Sequence, residues 1–138
     1  MNAAYQLDAC ALIAFFADEV GADSVTEILG TAEKGECSVF LNKINLLEVY
    51  YATWRKLDKT TADEVLRKAI GLPITIVDGL SNEVLAEAAR LKVSHRISLA
   101  DAIALADARI RGAELVTSDH REFDPVEQAE RLAFHWIQ

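Results

Sequence analysis

The chain has 138 residues, 51% of them apolar and 26% charged, with only 6 Gly and 2 Pro, a profile that suits one packed domain and excludes a disordered or low-complexity chain. Fourteen Lys and Arg against 22 Asp and Glu give a net charge of −8, the wrong sign for a protein that adheres to nucleic acid by charge alone. No uncharged run exceeds nine residues, too short to span a bilayer, and the N-terminus lacks the basic start of a signal peptide, so a cytosolic protein is expected.

Taken in chain order, short apolar runs alternate with helical patterns. Strands are expected at Ala4 to Leu7, Cys37 to Leu41, Ile74 to Val77, Glu114 to Thr117 and Phe134 to Ile137, each followed by polar or turn residues. Between the first two, Val25, Ile28, Leu29 and Ala32 recur at helical spacing, with Gly35 placed to end that helix. Thr61 with Glu64 resembles a capping box opening another helix, which Gly71 and Pro73 close, and Ser81 to Lys92 reads as a further helix. Asp124, Pro125 and Glu127 suggest a cap, a first-turn proline and an N3 acid for a last short helix. Strands alternating with helices imply an α/β fold with a mainly parallel sheet covered on both faces, in which loops at the strands' carboxyl ends make the natural site. The single cysteines Cys10 and Cys37 are neither a disulfide scaffold nor a metal pair, and both read as core filler.

Four acids stand out because their neighbours are apolar. Asp8 ends the first strand and opens Ala9 to Ala17; Glu48 is the sole charge between Ile44 and Trp54; Asp101 is the sole charge between Ile97 and Ala106; Asp119 follows the fourth strand after Ser118. Each also has a structural explanation. Asp8 suits a helix N-cap, Asn45 to Glu48 and Ser98 to Asp101 resemble capping boxes, and Asp119 suits a turn. A helix that is apolar nearly all round must be buried on most sides, however, and a buried carboxylate is costly unless paired or metal-bound. If the four met at one edge, each pair about 5 Å apart would repel by roughly 3 kcal/mol at an effective dielectric of 20. Four carboxylates without His or Cys make a hard oxygen site suited to Mg²⁺ or Mn²⁺, the usual equipment for hydrolysing a phosphodiester. The three histidines, His95, His120 and His135, show no ligand spacing. Positive charge is concentrated at Lys43, Arg55, Lys56, Lys59, Arg67 and Lys68, which form either a solvated helix surface or a flank for a nucleic-acid backbone. Tyr50, Tyr51 and Trp54 suit either the core or a partner surface.

In order, Leu-Asp8-Ala-Cys-Ala-Leu-Ile-Ala, Asn-Leu-Leu-Glu48-Val, Ser-Leu-Ala-Asp101-Ala-Ile-Ala-Leu-Ala and Leu-Val-Thr-Ser-Asp119-His-Arg-Glu-Phe resemble the four acidic motifs of PIN-domain ribonucleases. The likeness spans the chain and is closest to the compact toxins of the VapC type. It implies a single PIN-like nuclease domain over 1–138, a three-layer α/β/α sandwich, and Mg²⁺-dependent endonucleolytic cleavage of RNA. Asp8, Glu48, Asp101 and Asp119 match the family's metal-binding, catalytic acids, and Thr117 matches the hydroxyl residue two places before the last, with a supporting or phosphate-contacting role. Asp124 is a candidate for a further acid, although its capping role is better supported. The resemblance also implies a cognate antitoxin and a homodimer. Rival readings are a binding module on the same fold and a phospho-receiver domain with Asp78 as acceptor; the receiver also needs two adjacent acids after the first strand and a lysine at the fifth, whereas Asp8 stands alone and no lysine follows Lys92.

Overall fold

The computed structural model describes residues 2–138. Five strands, β1 (Ala3–Leu7), β2 (Cys37–Asn42), β3 (Thr75–Val77), β4 (Glu114–Thr117) and β5 (Phe134–Trp136), form one sheet in the order β3-β2-β1-β4-β5. Every pairing is parallel, with Leu7 opposite both Leu41 and Val116. Seven helices join them: α1 (Ala9–Ala17), α2 (Ala22–Glu33), α3 (Lys43–Lys56), α4 (Lys59–Ile70), α5 (Asn82–Ser94), α6 (Leu99–Arg111) and α7 (His120–Ala129). The expected strands are all present to within a residue at their ends. None of the helices is long and apolar enough to cross a membrane.

Period-two alternation along the strands divides the interior into two cores. Leu7, Val39, Leu41 and Val116 point to a layer built from α1, α2, α3 and α4, with Leu12, Val25, Leu46 and Ala69. Leu115, Phe134 and Trp136 point to the opposite layer, with Leu91 of α5, Ala102 to Ala106 of α6, and Phe123 and Val126 of α7. The result is a parallel sheet covered on both faces, as the alternating pattern implied, in the three layers that the resemblance implied. Arg90 of α5 pins the second layer, because its guanidinium bridges Glu87 and Glu130, and His95 reaches Glu130 at 2.8 Å.

Three expected helix starts are corrected. Asp58, rather than Thr61, caps α4 and accepts from the Thr61 N–H at 2.7 Å. Asn42, rather than Asn45, caps α3 and accepts from Ile44 N–H at 2.9 Å. Asp119 caps α7, so Asp124 and Pro125 lie inside that helix instead of opening it. Tertiary contacts fix this earlier start: the His120 ring stacks on Trp136 with centroids 3.8 Å apart, and its nitrogens lie 2.8 Å from Asp124 and 2.7 Å from the Gln138 carbonyl. That carbonyl first, and then Asp124, raise the His120 pKa. Pro125 removes a single helical hydrogen bond there.

Gly21, before α2, packs against the backbone of Ile137. Its φ is +99°, and a Cβ added to it would fall 2.7 Å from the Ile137 carbonyl oxygen. Gly21→Ala is therefore expected to destabilise the fold by about 2 kcal/mol in denaturant unfolding, from backbone strain together with this clash.

Candidate active site

In a sheet of order 3-2-1-4-5 the connections leave β1 in opposite directions, and the crevice lies beyond the carboxyl ends of β1 and β4. Asp8 follows β1, Asp119 follows β4, Glu48 lies in the second turn of α3 after β2, and Asp101 sits in the first turn of α6. All four charges act on one another across this crevice: Asp8, Glu48 and Asp119 each perturb Asp101.

Asp8 is fully buried. Its Oδ1 accepts from the Ala11 N–H at 2.8 Å, capping α1, whereas Oδ2 is sealed from solvent and has no partner. Burial pushes its pKa up to about 7; Thr117 and Ala11 oppose the rise, and Asp119 and Glu48 add to it. Asp101, 7% exposed, is pushed up to about 8, first by burial and then by the neighbouring carboxylates. Glu48 is half-buried, its Oε1 has no partner, and burial, Asp119 and Glu122 raise it. Thr117 is fully buried, and its Oγ1 accepts from the Asp119 N–H at 3.0 Å, which fixes the turn carrying that acid. Both structural and chemical descriptions thus apply to Asp8 and Asp119, because one oxygen of each caps a helix and the other takes no part in that cap.

A fifth acid, Glu122, joins the group. Oxygens of Asp101, Asp119 and Glu122 all lie within 4.8 Å of one another. Glu122 sits at N3 of α7, where its N–H donates to Asp119 Oδ1 at 3.1 Å and its own Oε2 accepts from the Ser98 N–H at 3.2 Å. Ser98 in turn accepts from the Asp101 N–H at 3.1 Å. In an ordinary capping box Asp101 itself would reach back to the Ser98 N–H; here Glu122 does so, which leaves the Asp101 carboxylate free. Asp124 pairs with His120 and takes no part. Three helix N-termini, those of α1, α6 and α7, point their positive ends at the acids and offset part of the repulsion.

Cys10 is not core filler. It is half-buried beside the acids, and burial together with Asp8, Asp119, Asp101 and Glu48 raises its thiol pKa, so it stays protonated. Cys37 is buried as expected. The basic stretch at 43–68 is a solvated helix surface: Lys43 pairs with Asp78, Lys59 with Asp63, and Arg67 and Lys68 with Glu64. Tyr51 and Trp54 lie on that surface, under Arg55 and Lys59 respectively. Arg96 and Arg121 line a cavity of about 370 Å³ together with Asp119 and Glu122.

The donor set is all oxygen, two buried carboxylate oxygens lack partners, and three acids lie close enough to share an ion. Those features fit a hard divalent cation and do not fit zinc or copper.

An all-parallel doubly wound sheet with its acids at the switch point defines a class of α/β proteins that work at the carboxyl edge. Residues 5–128 match the PIN domain model, and the chain belongs to the PIN-domain family. Similar solved structures include VapBC2 from Rickettsia felis bound to a DNA fragment from their promoter, at 19% identity over 96% of this chain and 98% of that one, TM-score 0.76. DNA-bound VapBC from Salmonella typhimurium is similar at 14% identity over the whole of both chains, TM-score 0.75. VapC20 from Mycobacterium tuberculosis, described as a sarcin-ricin loop cleaving toxin, is similar at 14% identity over 88% of this chain and 94% of that one, TM-score 0.69. No curated protein matches the sequence significantly.

Proposed function

We propose that this protein is a divalent-metal-dependent endoribonuclease, the cytoplasmic toxin of a toxin-antitoxin pair, acting as one nuclease domain. The observation that carries the reading is the cluster of Asp101, Asp119 and Glu122 oxygens within 4.8 Å of one another at the switch point, with Asp8 and Glu48 outside that cluster but each bearing an unpartnered buried oxygen. Asp8, Glu48, Asp101 and Asp119 are the proposed metal-binding and catalytic acids, with Glu122 as a fifth. When bound, Mg²⁺ or Mn²⁺ supplies the positive charge that holds the scissile phosphate and lowers the pKa of the attacking water. The chain's own residues supply preorganisation. Ala11 fixes Asp8, Thr117 and Glu122 fix Asp119, and Ser98 ties α6 to α7 through Glu122.

Arg96 and Arg121 hold the phosphates on either side of the cleaved bond, since both are exposed at the mouth and neither forms an ion pair among the described residues. Replacing both with Ala is expected to raise KM for RNA at least about tenfold with a smaller change in kcat, and to reduce the salt dependence of binding by about 0.7 per arginine in log–log slope. Equal salt slopes for variant and wild type would remove this role.

An apolar groove of about 300 Å³ between α1, α3 and α4, lined by Ile13, Phe16, Val49, Ala52, Leu57 and Val65, is where we place the antitoxin's apolar segment. One similar solved structure is a toxin-antitoxin complex from Klebsiella pneumoniae, and this groove opens between the helices that carry Asp8 and Glu48. The direct test is incubation of purified protein with RNA and Mg²⁺. Cleavage that stops in excess chelator and returns with Mn²⁺ supports the reading, and cleavage that persists in chelator contradicts it.

A further inference from the structure

A cavity of about 560 Å³ lies apart from the acids, between the end of β3, the start of α5 and the later turns of α6, lined by Val77, Gly79, Ser81, Val84, Asp107 and Arg111 among others. It shares the carboxyl edge of the sheet with the acidic crevice, two strands away from β1, or about 10 Å. Asp107 is 1% exposed. Its Oδ2 accepts from Asn42 Nδ2 at 2.8 Å, which orients the side chain that caps α3, and the residue lines the cavity with Oδ1 outside that hydrogen bond.

Arg111 is four residues further along α6, the spacing at which a helical ion pair forms. It does not pair with Asp107; its guanidinium lies over the Phe40 ring, 4.6 Å from the centroid. Burial raises the Asp107 carboxyl, with Asn42 and Arg111 opposing. The hydrogen bond to Asn42 uses only one of its oxygens, and the other is not sealed away from solvent, so it stays available as an acceptor. The cavity therefore presents an acceptor on one wall, a cation on another, and apolar side chains of Val77, Leu80, Val84 and Ile110 between them.

A complementary ligand has a donor edge, a flat apolar body and an anionic group, which is the chemistry of a nucleotide. Among the bases, guanine alone offers two adjacent donors, N1–H and N2–H, with no acceptor between them to repel a carboxylate; adenine and cytosine pair one amino group with a neighbouring ring acceptor, and uracil flanks its N–H with two carbonyls. Each carboxylate oxygen carries two lone pairs, so Oδ2 retains capacity beyond its bond to Asn42. We propose that this cavity is a guanine subsite, with Asp107 accepting from the base edge and Arg111 holding the phosphate, and that it selects which RNA position enters the acidic crevice. The selection step rests on the ribonuclease reading above; the binding chemistry does not.

The test titrates the full chain with GMP, AMP, CMP and UMP in chelator, so that no metal at the acidic crevice holds the phosphate, reading amide shifts of Gly79 and Ser81. GMP is expected to shift both and to bind at least about tenfold more tightly than UMP, and Arg111→Gln to weaken all four nucleotides while leaving guanosine unaffected. Asp107→Asn is expected to erase the guanine preference; should that variant fail to fold, the GMP-against-guanosine comparison in wild type and Arg111→Gln carries the test. Equal affinities for the four nucleotides, or no shift at Gly79 and Ser81, would overturn the proposal. Mapping cut sites in RNA separates the two readings. Unchanged sites in an active Asp107→Asn overturn the guanine subsite and leave the nuclease standing, whereas GMP binding at Gly79 and Ser81 by a wild type that cuts no RNA supports the subsite and removes the nuclease.

Discussion

Asp101→Asn is expected to lower Mg²⁺-supported RNA cleavage by at least about a thousandfold while making the metal-free protein more stable. The two effects have one cause. Asp101 has four acidic neighbours, Asp8, Glu122, Asp119 and Glu48, and burial already disfavours its charge. Its helix is capped by Ser98 through the Asp101 backbone N–H, and its carboxylate has no part in that cap. Asparagine thus keeps the cap and the shape, removes a repelled charge, and deletes a metal ligand. Loss of the several kcal/mol that a bound metal contributes to a phosphodiester transition state corresponds to about a thousandfold or more in rate. The checks are a single-turnover cleavage assay and urea unfolding in chelator at pH 8. A variant that is several kcal/mol less stable without metal would mean that the Asp101 carboxylate serves the fold.

The second large effect is on the pH dependence of the metal-free protein. Unfolded, the Asp8 and Asp101 carboxyls titrate near pH 4; folded, they titrate at about 7 and about 8. Between those limits the folded chain holds more protons than the unfolded one, so stability falls as pH rises through the window. Glu130 works in the opposite direction: Arg90 and His95 hold its pKa down to about 2, and its contribution is present at neutral pH and lost as pH falls toward 2. Stability without metal should therefore peak under mildly acidic conditions and decline by several kcal/mol toward pH 8, and Mn²⁺ should restore it there by binding only the folded state. Urea midpoints from pH 4 to pH 9, with and without Mn²⁺, measure this directly. A flat profile across pH 5 to 8 would contradict it.

The sheet was legible because its strands are short apolar runs, and the parallel alternation of Leu115 toward one core and Val116 toward the other follows from period two. Asp8, Glu48, Asp101 and Asp119 stood out through their apolar neighbours, an isolation that burial enforces. Glu122 carried no such mark. It lies in His-Arg-Glu-Phe-Asp-Pro-Val-Glu, where any acid reads as solvated, and only the cap by Asp119 brings it to the crevice. Asp124 beside Pro125 offered a better local helix start than Asp119, and the stacking of His120 on Trp136, sixteen residues away in sequence, overrode it. Asp107 and Arg111 have the spacing of a surface ion pair, which concealed that one is buried and the other lies on Phe40. Arg121 already lies between Asp119 and Glu122 in the sequence, and the fold adds Arg96 to that neighbourhood.

Calorimetric titration of Mn²⁺ into chelator-stripped protein is the measurement closest to the central claim. Saturable binding in the wild type and in Asp124→Asn, whose side chain pairs with His120 away from the crevice, together with loss of binding in Asp101→Asn, is the expected pattern. Absence of saturable binding in the wild type, or binding by Asp101→Asn at undiminished affinity, would contradict a divalent-metal centre at this sheet edge.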